Sequence, residues 1–394
     1  MAKILMHIDL NAFFATAEVL RDPSLKGKPV LIGHEGRSGI VSTASYAARK
    51  YGCHSGQPMF QATELCPNAI ILPPDFDYYS TLSRAFFAEV KAISPILEQT
   101  SIDEAYVDMS KPLEGVSDAI AYFRGIQKEL LKKTGLPCSI GVAPTKWLAK
   151  MASDLEKPLG LVILRRRDFA KTLYPLPIES FWGIGKKTAP RLRNLGINCI
   201  GDFAEKAKAD DPMLAKTMGK FFYEAKQWVL GYGDDIVSTE RWDPKSVGVS
   251  ETLMRDCQGL EEVRPTLKRV CEEVSRRANE EHKKGKTMTL VVKDTSFVSH
   301  SKSMSFQLPF NDASSLFLRA CALYRDNYEG MEVRLVGVTL SSLLDEVKDQ
   351  LQMSLWNYGE YEEKDRTKLL INDLNRGLEK PLFLRASQAK KKEK

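Results

Sequence analysis

The sequence predicts a multidomain chain built from α/β and α+β modules. Three observations carry this. Over the first 165 residues, short apolar runs alternate with helix-patterned stretches, the signature of a sheet backed by helices. From about 166 to 233 the pattern changes to short helices broken by Pro and Gly. Beyond a polar, Pro-containing stretch, a long charged helix lies among strand-like runs. A chain of 394 residues has room for roughly two to four compact domains.

The elements follow in order. "KILMHID" is a short apolar run ending in an acid and reads as a buried strand. "NAFFATAEVL" continues at once with helical spacing, Asn11 serving as its N-cap. "KPVLIG" and "GIVSTA" are strand-like, and "SYAARKYG" starts a helix closed by Gly52. "PILEQTSID" and "EAYVDM" form a strand pair around two adjacent acids. "AIAYFRGIQKELLKKTG" is an amphipathic helix with late basic residues and a Gly stop. The strand "CSIGVA" and the helix "KWLAKMASDL" complete one mixed sheet backed by helices.

The segment from 166 to 233 holds 12 Lys and Arg against 7 Asp and Glu. "DDIVSTERWDPKSVG" has no periodicity and reads as a linker. After it, a strand-like stretch, the helix "LEEVRPTLKRVCEEVSRRANEEHKKG" and the strands "KTMTLVVKD" and "RLVGVTLSSL" make a separate α+β module. From about 345 the chain is charged and low in core signal until "LLINDLN".

Composition narrows the function classes. A net charge of +6 permits a polyanionic partner without demanding one. The seven cysteines are scattered and form no C-x-x-C pair, so reduced thiols in a cytoplasmic protein are expected, with no zinc site. The N-terminus meets Asp9 too soon to be a signal peptide, and no run approaches the length of a membrane span.

"TSIDEAYVDM" (Thr100–Met109) raises the chemical question. Neighbouring residues in a strand point to opposite faces, so Asp103 and Glu104 can serve one point only at a turn or strand end. Asp9 ends the first strand, at the kind of sheet edge where ligands gather. Were the two segments neighbours, three carboxylates would converge, and they would either protonate or bind hard cations. Magnesium suits such a set, and two such ions would clamp an in-line phosphoryl or nucleotidyl transfer.

"HIDLNAFFATAE", "GIVSTASYAARKYGCHSGQPM", "TSIDEAYVDMS" and "SIGVAPTKWLAKMASDLEKPLG" resemble, in order and spacing, the Y-family translesion DNA polymerases. The resemblance runs over roughly residues 3 to 343. It implies a right-hand polymerase: palm (1–10 and 78–165), fingers (11–77), a helix-hairpin-helix thumb (166–233), a linker (234–243), a little finger (244–343) and a C-terminal tail (344–394). It implies template-directed, non-proofreading DNA synthesis past damaged bases, using two Mg2+ ions, with primer-template DNA and deoxynucleoside triphosphates as partners. A monomer in the cytoplasm, without membrane attachment, is expected.

Residue by residue, the resemblance makes Asp9, Asp103 and Glu104 the catalytic acids. Together with the Leu10 carbonyl they are the metal ligands. Asn11 departs from the family, where relatives often carry a second Asp. Tyr46, Arg49 and Lys157 would hold the triphosphate, with Ser42 and Ala44 covering the nascent base pair. Phe13 and Phe14 complete the nucleotide site, Phe13 as core and Phe14 under the sugar, excluding a 2′-hydroxyl. "GIGKKTAPRLRNLGI" has the spacing of a helix-hairpin-helix, whose backbone N–H groups around Gly183 and Gly185 would meet a phosphate beside Lys186 and Lys187. "TMGKFF" looks like a second copy. In the little finger, with 15 Lys and Arg against 13 Asp and Glu, Lys286, Lys293 and Lys302 are the expected DNA contacts. "QMSLW", with Gln352, Met353, Leu355 and Trp356, resembles sliding-clamp peptides. The last residues resemble a branch of the family from Gram-positive bacteria. A catalytically silent scaffold would not need the three acids, and a nucleotide cyclase would not need the hairpin.

Overall fold

The computed structural model describes residues 3–240 and 242–345. They form two compact units, one through Trp242 and one from Asp243 onward. Among the described residues no helix is long and apolar enough to cross a membrane.

The first unit is built on a five-stranded sheet. Its strands are β1 (Leu5–Leu10), β5 (Leu97–Gln99), β6 (Glu104–Asp108), β7 (Cys138–Ala143) and β8 (Leu161–Ile163), in the order β5-β6-β1-β7-β8. The intervening strands are β2 (Val30–Gly33), β3 (Val41–Ala44) and β4 (Ile70–Leu72). The sheet is mixed, with β7 and β8 parallel and the other pairs antiparallel, but it is not the single sheet expected, because β2 and β3 pair outside it. Central strand β1, "LMHIDL", is buried at every position.

Alternation along β1 sorts its side chains between two cores. Met6, Ile8 and Leu10 pack on α1 (Phe13–Arg21) and, across 76–93 and 119–134, on two further helices. Leu5 faces the helix at Lys146–Leu155, as does Tyr106 of β6. His7, Asp9 and Glu104 share that second face, because the side-chain period of a strand is two.

The remaining helices of this unit are α2 (Tyr46–Arg49), α3 (Met59–Leu65), α4 (Phe76–Ile93), α5 (Ala119–Thr134), α6 (Lys146–Leu155), α7 (Phe169–Leu173), α8 (Ala189–Arg193), α9 (Ile200–Lys208), α10 (Pro212–Met218) and α11 (Phe221–Val229). Helix α6 lies directly on β7 at Gly141, where an added Cβ would stand 2.1 Å from the Ala149 carbonyl oxygen and 2.2 Å from the Ser153 nitrogen. That close approach brings α6 over the sheet face that carries Asp9. Strands β2, β3 and β4 form a separate three-stranded sheet that closes on α2 and α3.

Helices α7 to α11 share one apolar core that includes Phe169, Leu192, Phe203, Phe222 and Val229. Gly219, with φ 62°, joins α10 to α11, so "TMGKFF" does lie at a helix–turn–helix. The start of the expected linker is pinned to the sheet. Lys146 bonds Glu98 and Asp234 at 2.7 and 2.8 Å, and the Ser238 amide donates to Glu98 at 2.6 Å.

The second unit is an antiparallel sheet in the order β11-β10-β12-β9, with β9 (Ser246–Gln258), β10 (Lys283–Asp294), β11 (Ser299–Phe310) and β12 (Glu332–Asp345). Helices α12 (Leu260–Glu280) and α13 (Ala313–Tyr328) pack through Val263, Leu267, Leu316 and Tyr324 against Met288, Leu290 and Val336 of one sheet face. The other face is hydroxyl-rich: Thr287 pairs with Ser305 at 2.9 Å and Thr289 with Ser303 at 2.8 Å.

Several elements differ from the sequence reading. Asn11 does not cap α1. The helix starts at Phe13 behind Ala12, which is left-handed at φ 46°, and the Asn11 side chain is bonded elsewhere. The long charged helix stops at Glu280, and Lys283–Gly285 already pair in β10. Helices α3, α4 and α13 and strands β4, β8 and β11 are not among the elements read from the sequence. Of the seven cysteines, all free, six are buried and Cys199 is half-buried.

Candidate active site

Asp9 and Glu104 are direct cross-strand partners in the β1–β6 register, and the Leu10 amide donates to the Asp103 carbonyl at 3.0 Å. Asp103 sits in the turn between β5 and β6, and Glu104 is the first residue of β6. A strand end is therefore what lets adjacent acids serve one place. Ser101 builds this turn: its hydroxyl donates to Asp103 Oδ1 at 2.6 Å and accepts from the Asp103 and Glu104 amides at 3.2 and 3.0 Å.

Asp9 is only 4% exposed. Burial works against its ionised form, but its pairing with Glu104 and the charges of Lys157 and Lys150 hold it below the usual carboxylate range. Burial and the neighbouring Asp9 push Glu104 above that range. Burial also raises Asp103, with Ser101 opposing and the Asp9 charge adding to the rise.

Two lysines that arrive from α6 and the loop after it meet these acids. Lys157 Nζ lies 2.6 Å from Asp9 Oδ2 and 2.8 Å from Asp154 Oδ1. Lys150, which the sequence reading did not single out, lies 3.3 Å from Asp9 Oδ2, 2.5 Å from Glu104 Oε1 and 3.3 Å from Asp154 Oδ1. Its only sequence signal was position: Lys150 and Asp154 stand four apart on the helix that covers the acids. Burial works against its charged form, yet Asp154, Asp9 and Glu104 hold it above the ordinary lysine value. His7, also on this face, is driven down to about 3, first by burial and then by Lys150, and is therefore neutral. Its Nε2 is buried without a partner, 3.8 Å from Glu104.

The donor set fits a hard divalent cation: carboxylate oxygens of Asp9, Asp103 and Glu104 gathered at one strand end, with burial working against their ionised forms until a cation compensates them. Among the described residues no three acidic, His or Cys side chains already stand at metal-binding spacing. Asp9 and Glu104 are instead drawn onto Lys150 and Lys157, and Asp103 onto Ser101.

Tyr46 and Arg49 are brought to the same side by α2, capped by the Ser45 hydroxyl. The Arg49 guanidinium lies 4.8 Å over the Tyr46 ring and donates to the Ala44 carbonyl at 3.0 Å. The Tyr46 hydroxyl is buried and unpartnered, a donor awaiting an acceptor. Its acidity is weakened first by burial, while Lys157 and Asp9 act on it through space. Ser42 is half-buried on β3 beside the buried Ala44.

Phe13 is 2% exposed and belongs to the core, whereas Phe14 is half-buried. The Phe14 ring stacks on Tyr79 at 4.5 Å and 12°, with Phe76 edge-on at 5.8 Å. Tyr79, another residue the sequence reading passed over, is fixed by donating to Glu18 Oε1 at 2.8 Å. Asn11 joins the strand end to the loop after Lys157, donating to Ser139 Oγ at 2.9 Å and accepting from the Leu159 amide at 2.7 Å.

Away from this site, Gly183 has φ 106° and an added Cβ would meet Phe221 Cζ at 2.6 Å, while Gly185 faces open space. Lys186 and Lys187 are exposed. In the second unit Lys293 extends the hydroxyl face, opposite Ser299, whereas Lys302 pairs with Leu290 and so projects from the helix-bearing face. Lys286 falls at the irregularity between Gly285 and Thr287. The clamp-like residues 352–356 lie outside the described residues.

The chain matches the impB/mucB/samB family over residues 8–154, that family's C-terminal domain over 244–355, and its HHH motif over 166–197. It is 35% identical over 379 residues to DNA polymerase IV of Oceanobacillus iheyensis, covering 95% of this chain and 89% of that protein. It is likewise 35% identical to DNA polymerase IV 1 of Bacillus subtilis over 395 residues, covering 100% and 94%. Among solved structures, a Y-family DNA polymerase chimera of Dbh and Dpo4 superposes with a TM-score of 0.74 at 28% identity, covering 87% of this chain and 99% of that one. A Dbh ternary complex superposes with a TM-score of 0.56 at the same identity and coverage.

Proposed function

This chain belongs to the impB/mucB/samB family of Y-family polymerases and is a DNA-directed DNA polymerase of the translesion class, and from that premise we propose how its own residues carry the reaction. The observation that carries the reading is the cross-strand pair Asp9–Glu104 beside Asp103, facing Lys157 and the unpartnered Tyr46 hydroxyl.

Asp9, Asp103, Glu104 and the Leu10 carbonyl would hold two Mg2+ ions, which would supply the charge that favours the ionised primer hydroxyl and the departing pyrophosphate. Tyr46, Arg49 and Lys157 bind the β- and γ-phosphates, Arg as a planar fork and Lys as a point charge. They fix the α-phosphate for in-line attack: the bond from the primer 3′-oxygen to phosphorus forms as the bond to pyrophosphate breaks. Phe14, braced by Tyr79, walls off the 2′ position, and Ser42 and Ala44 leave room over the base pair.

Gly183, Gly185, Lys186 and Lys187 contact the DNA backbone without reading sequence, with Lys286, Lys293 and Lys302 as further phosphate contacts. The remaining segments 1–10 with 78–165, 11–77, 166–233 and 244–343 serve as palm, fingers, thumb and little finger. The enzyme works as a cytoplasmic monomer that docks a sliding clamp through Gln352, Met353, Leu355 and Trp356.

Primer extension on plain and damaged templates, with Mg2+ supplied or chelated, tests the reading. Extension should require the metal and proceed past the lesion. Metal-independent extension, or none on either template, would refute it.

A further inference from the structure

We infer that Lys150 is the resident counter-ion of the acid pair: a positioning residue that holds Asp9 and Glu104 together in the metal-free protein and competes with the divalent cation for them. The inference rests on reading those acids as cation ligands. Lys150 side-chain exposure is 8%, and its ammonium has three N–H donors. Three carboxylates from three places in the fold accept them: Asp9 of β1, Glu104 of β6 and Asp154 of α6 itself. No donor is left over. The other nitrogen base near Glu104, His7, stands 3.8 Å away, beyond hydrogen-bonding distance, whereas Lys150 is in direct contact at 2.5 Å.

Two buried carboxylates placed side by side repel, and removing the ammonium between them would leave both uncompensated. A divalent cation solves the same problem, so ammonium and metal ion are alternatives for one set of oxygens. Asp154 gives the displaced ammonium somewhere to go. It is already within 3.3 Å, four residues along the same helix, and its side chain is 42% exposed, so a rotation within the lysine side chain suffices. Lys157 shares that carboxylate at 2.8 Å and balances the rest of Asp9.

The arrangement gives opposite signs for two substitutions. Lys150→Met removes the competitor and should bind Mn2+ about tenfold more tightly, the size expected for losing a unit charge a few ångström away in a partly buried site. Its metal-free form should melt at lower temperature, and saturating Mn2+ should close most of that gap. Asp154→Asn removes the alternative seat and should weaken Mn2+ binding several-fold, while Lys150→Arg, keeping the charge, should stay near wild type.

The measurement is free Mn2+ by electron paramagnetic resonance, titrated into protein without DNA or nucleotide, alongside thermal melts. Equal Mn2+ affinity in wild type and Lys150→Met overturns the inference, provided Asp9→Asn is weakened. Should Lys150→Met fail to fold, unchanged or tighter binding by Asp154→Asn overturns it equally. Asp9→Asn binding as tightly as wild type would instead remove the cation-ligand reading itself.

Discussion

Replacing Phe14 by Ala should convert this polymerase from one that rejects ribonucleotides to one that accepts them. The Phe14 ring has little freedom: Tyr79 stacks behind it at 4.5 Å, Phe76 meets its edge, and Tyr79 is itself tied to Glu18. A 2′-hydroxyl pressed against such a wall has no partner, which costs about 1–3 kcal/mol before any steric overlap. At about 1.4 kcal/mol per tenfold, the unpaired hydroxyl and the overlap together give discrimination on the order of a hundredfold or more. Phe14→Ala should return most of that factor to ribonucleotides and leave deoxynucleotide insertion within about tenfold of wild type. Phe13→Ala should act differently, because the Phe13 ring is core, next to Phe14 and Tyr79; truncation there costs about 3–5 kcal/mol of stability. Single-nucleotide insertion kinetics with matched deoxy- and ribonucleotides, beside thermal melts, separate the two. Unchanged sugar selectivity in Phe14→Ala, or its collapse in Phe13→Ala, would refute the assignment of roles.

Asp103→Ala and Glu104→Ala should each abolish extension while primer-template affinity by fluorescence anisotropy stays near wild type; near-normal extension by either would sink the metal assignment. Gly141→Ala should destabilise severely or prevent folding, since its methyl would overlap the backbone of α6, and a melt within a few degrees of wild type would contradict this packing. Gly183→Ala should lower Tm, because of its positive φ and the Phe221 ring, whereas Gly185→Ala should leave Tm unchanged and weaken DNA binding alike on all sequences. Replacing Gln352, Leu355 and Trp356 together by Ala should spare distributive synthesis and remove stimulation by a loaded clamp; equal clamp affinity of the triple variant and wild type would refute it.

What the sequence discloses depends on whether a residue's role is local. Strands β1 and β7 were readable because "LMHIDL" and "CSIGVA" are apolar runs that only a buried sheet absorbs. The turn at Asp103 was readable because adjacent acids between strands demand one. Helix α4 was harder: its buried residues Tyr79, Ser83, Phe86, Phe87 and Val90 include a serine, and Phe76 and Tyr78 extend the apolar pattern beyond one face. Lys150 was out of reach, because a lysine at helical spacing looks like any solvated charge. Only the seating of α6 on Gly141 turns it inward. The same limit applies to Lys293 and Lys302, nine residues apart in sequence on antiparallel strands, whose opposite faces follow from register alone.

The Asn11 bridge bears on what this position can tolerate. The amide spends one end as acceptor, for the Leu159 N–H, and the other as donor, to Ser139. An aspartate keeps the first bond unchanged and loses the second donor. Ser139 is fully buried, and a hydroxyl can donate as readily as accept, so it has only to turn its own proton toward the new carboxylate. One hydroxyl rotation then keeps the strand end hydrogen-bonded with either side chain, leaving the added buried charge near Asp9 as the cost of Asn11→Asp. The serine acts as an adaptor, and Ser139→Ala should increase the stability cost of Asn11→Asp, which thermal melts of the single and double variants would measure.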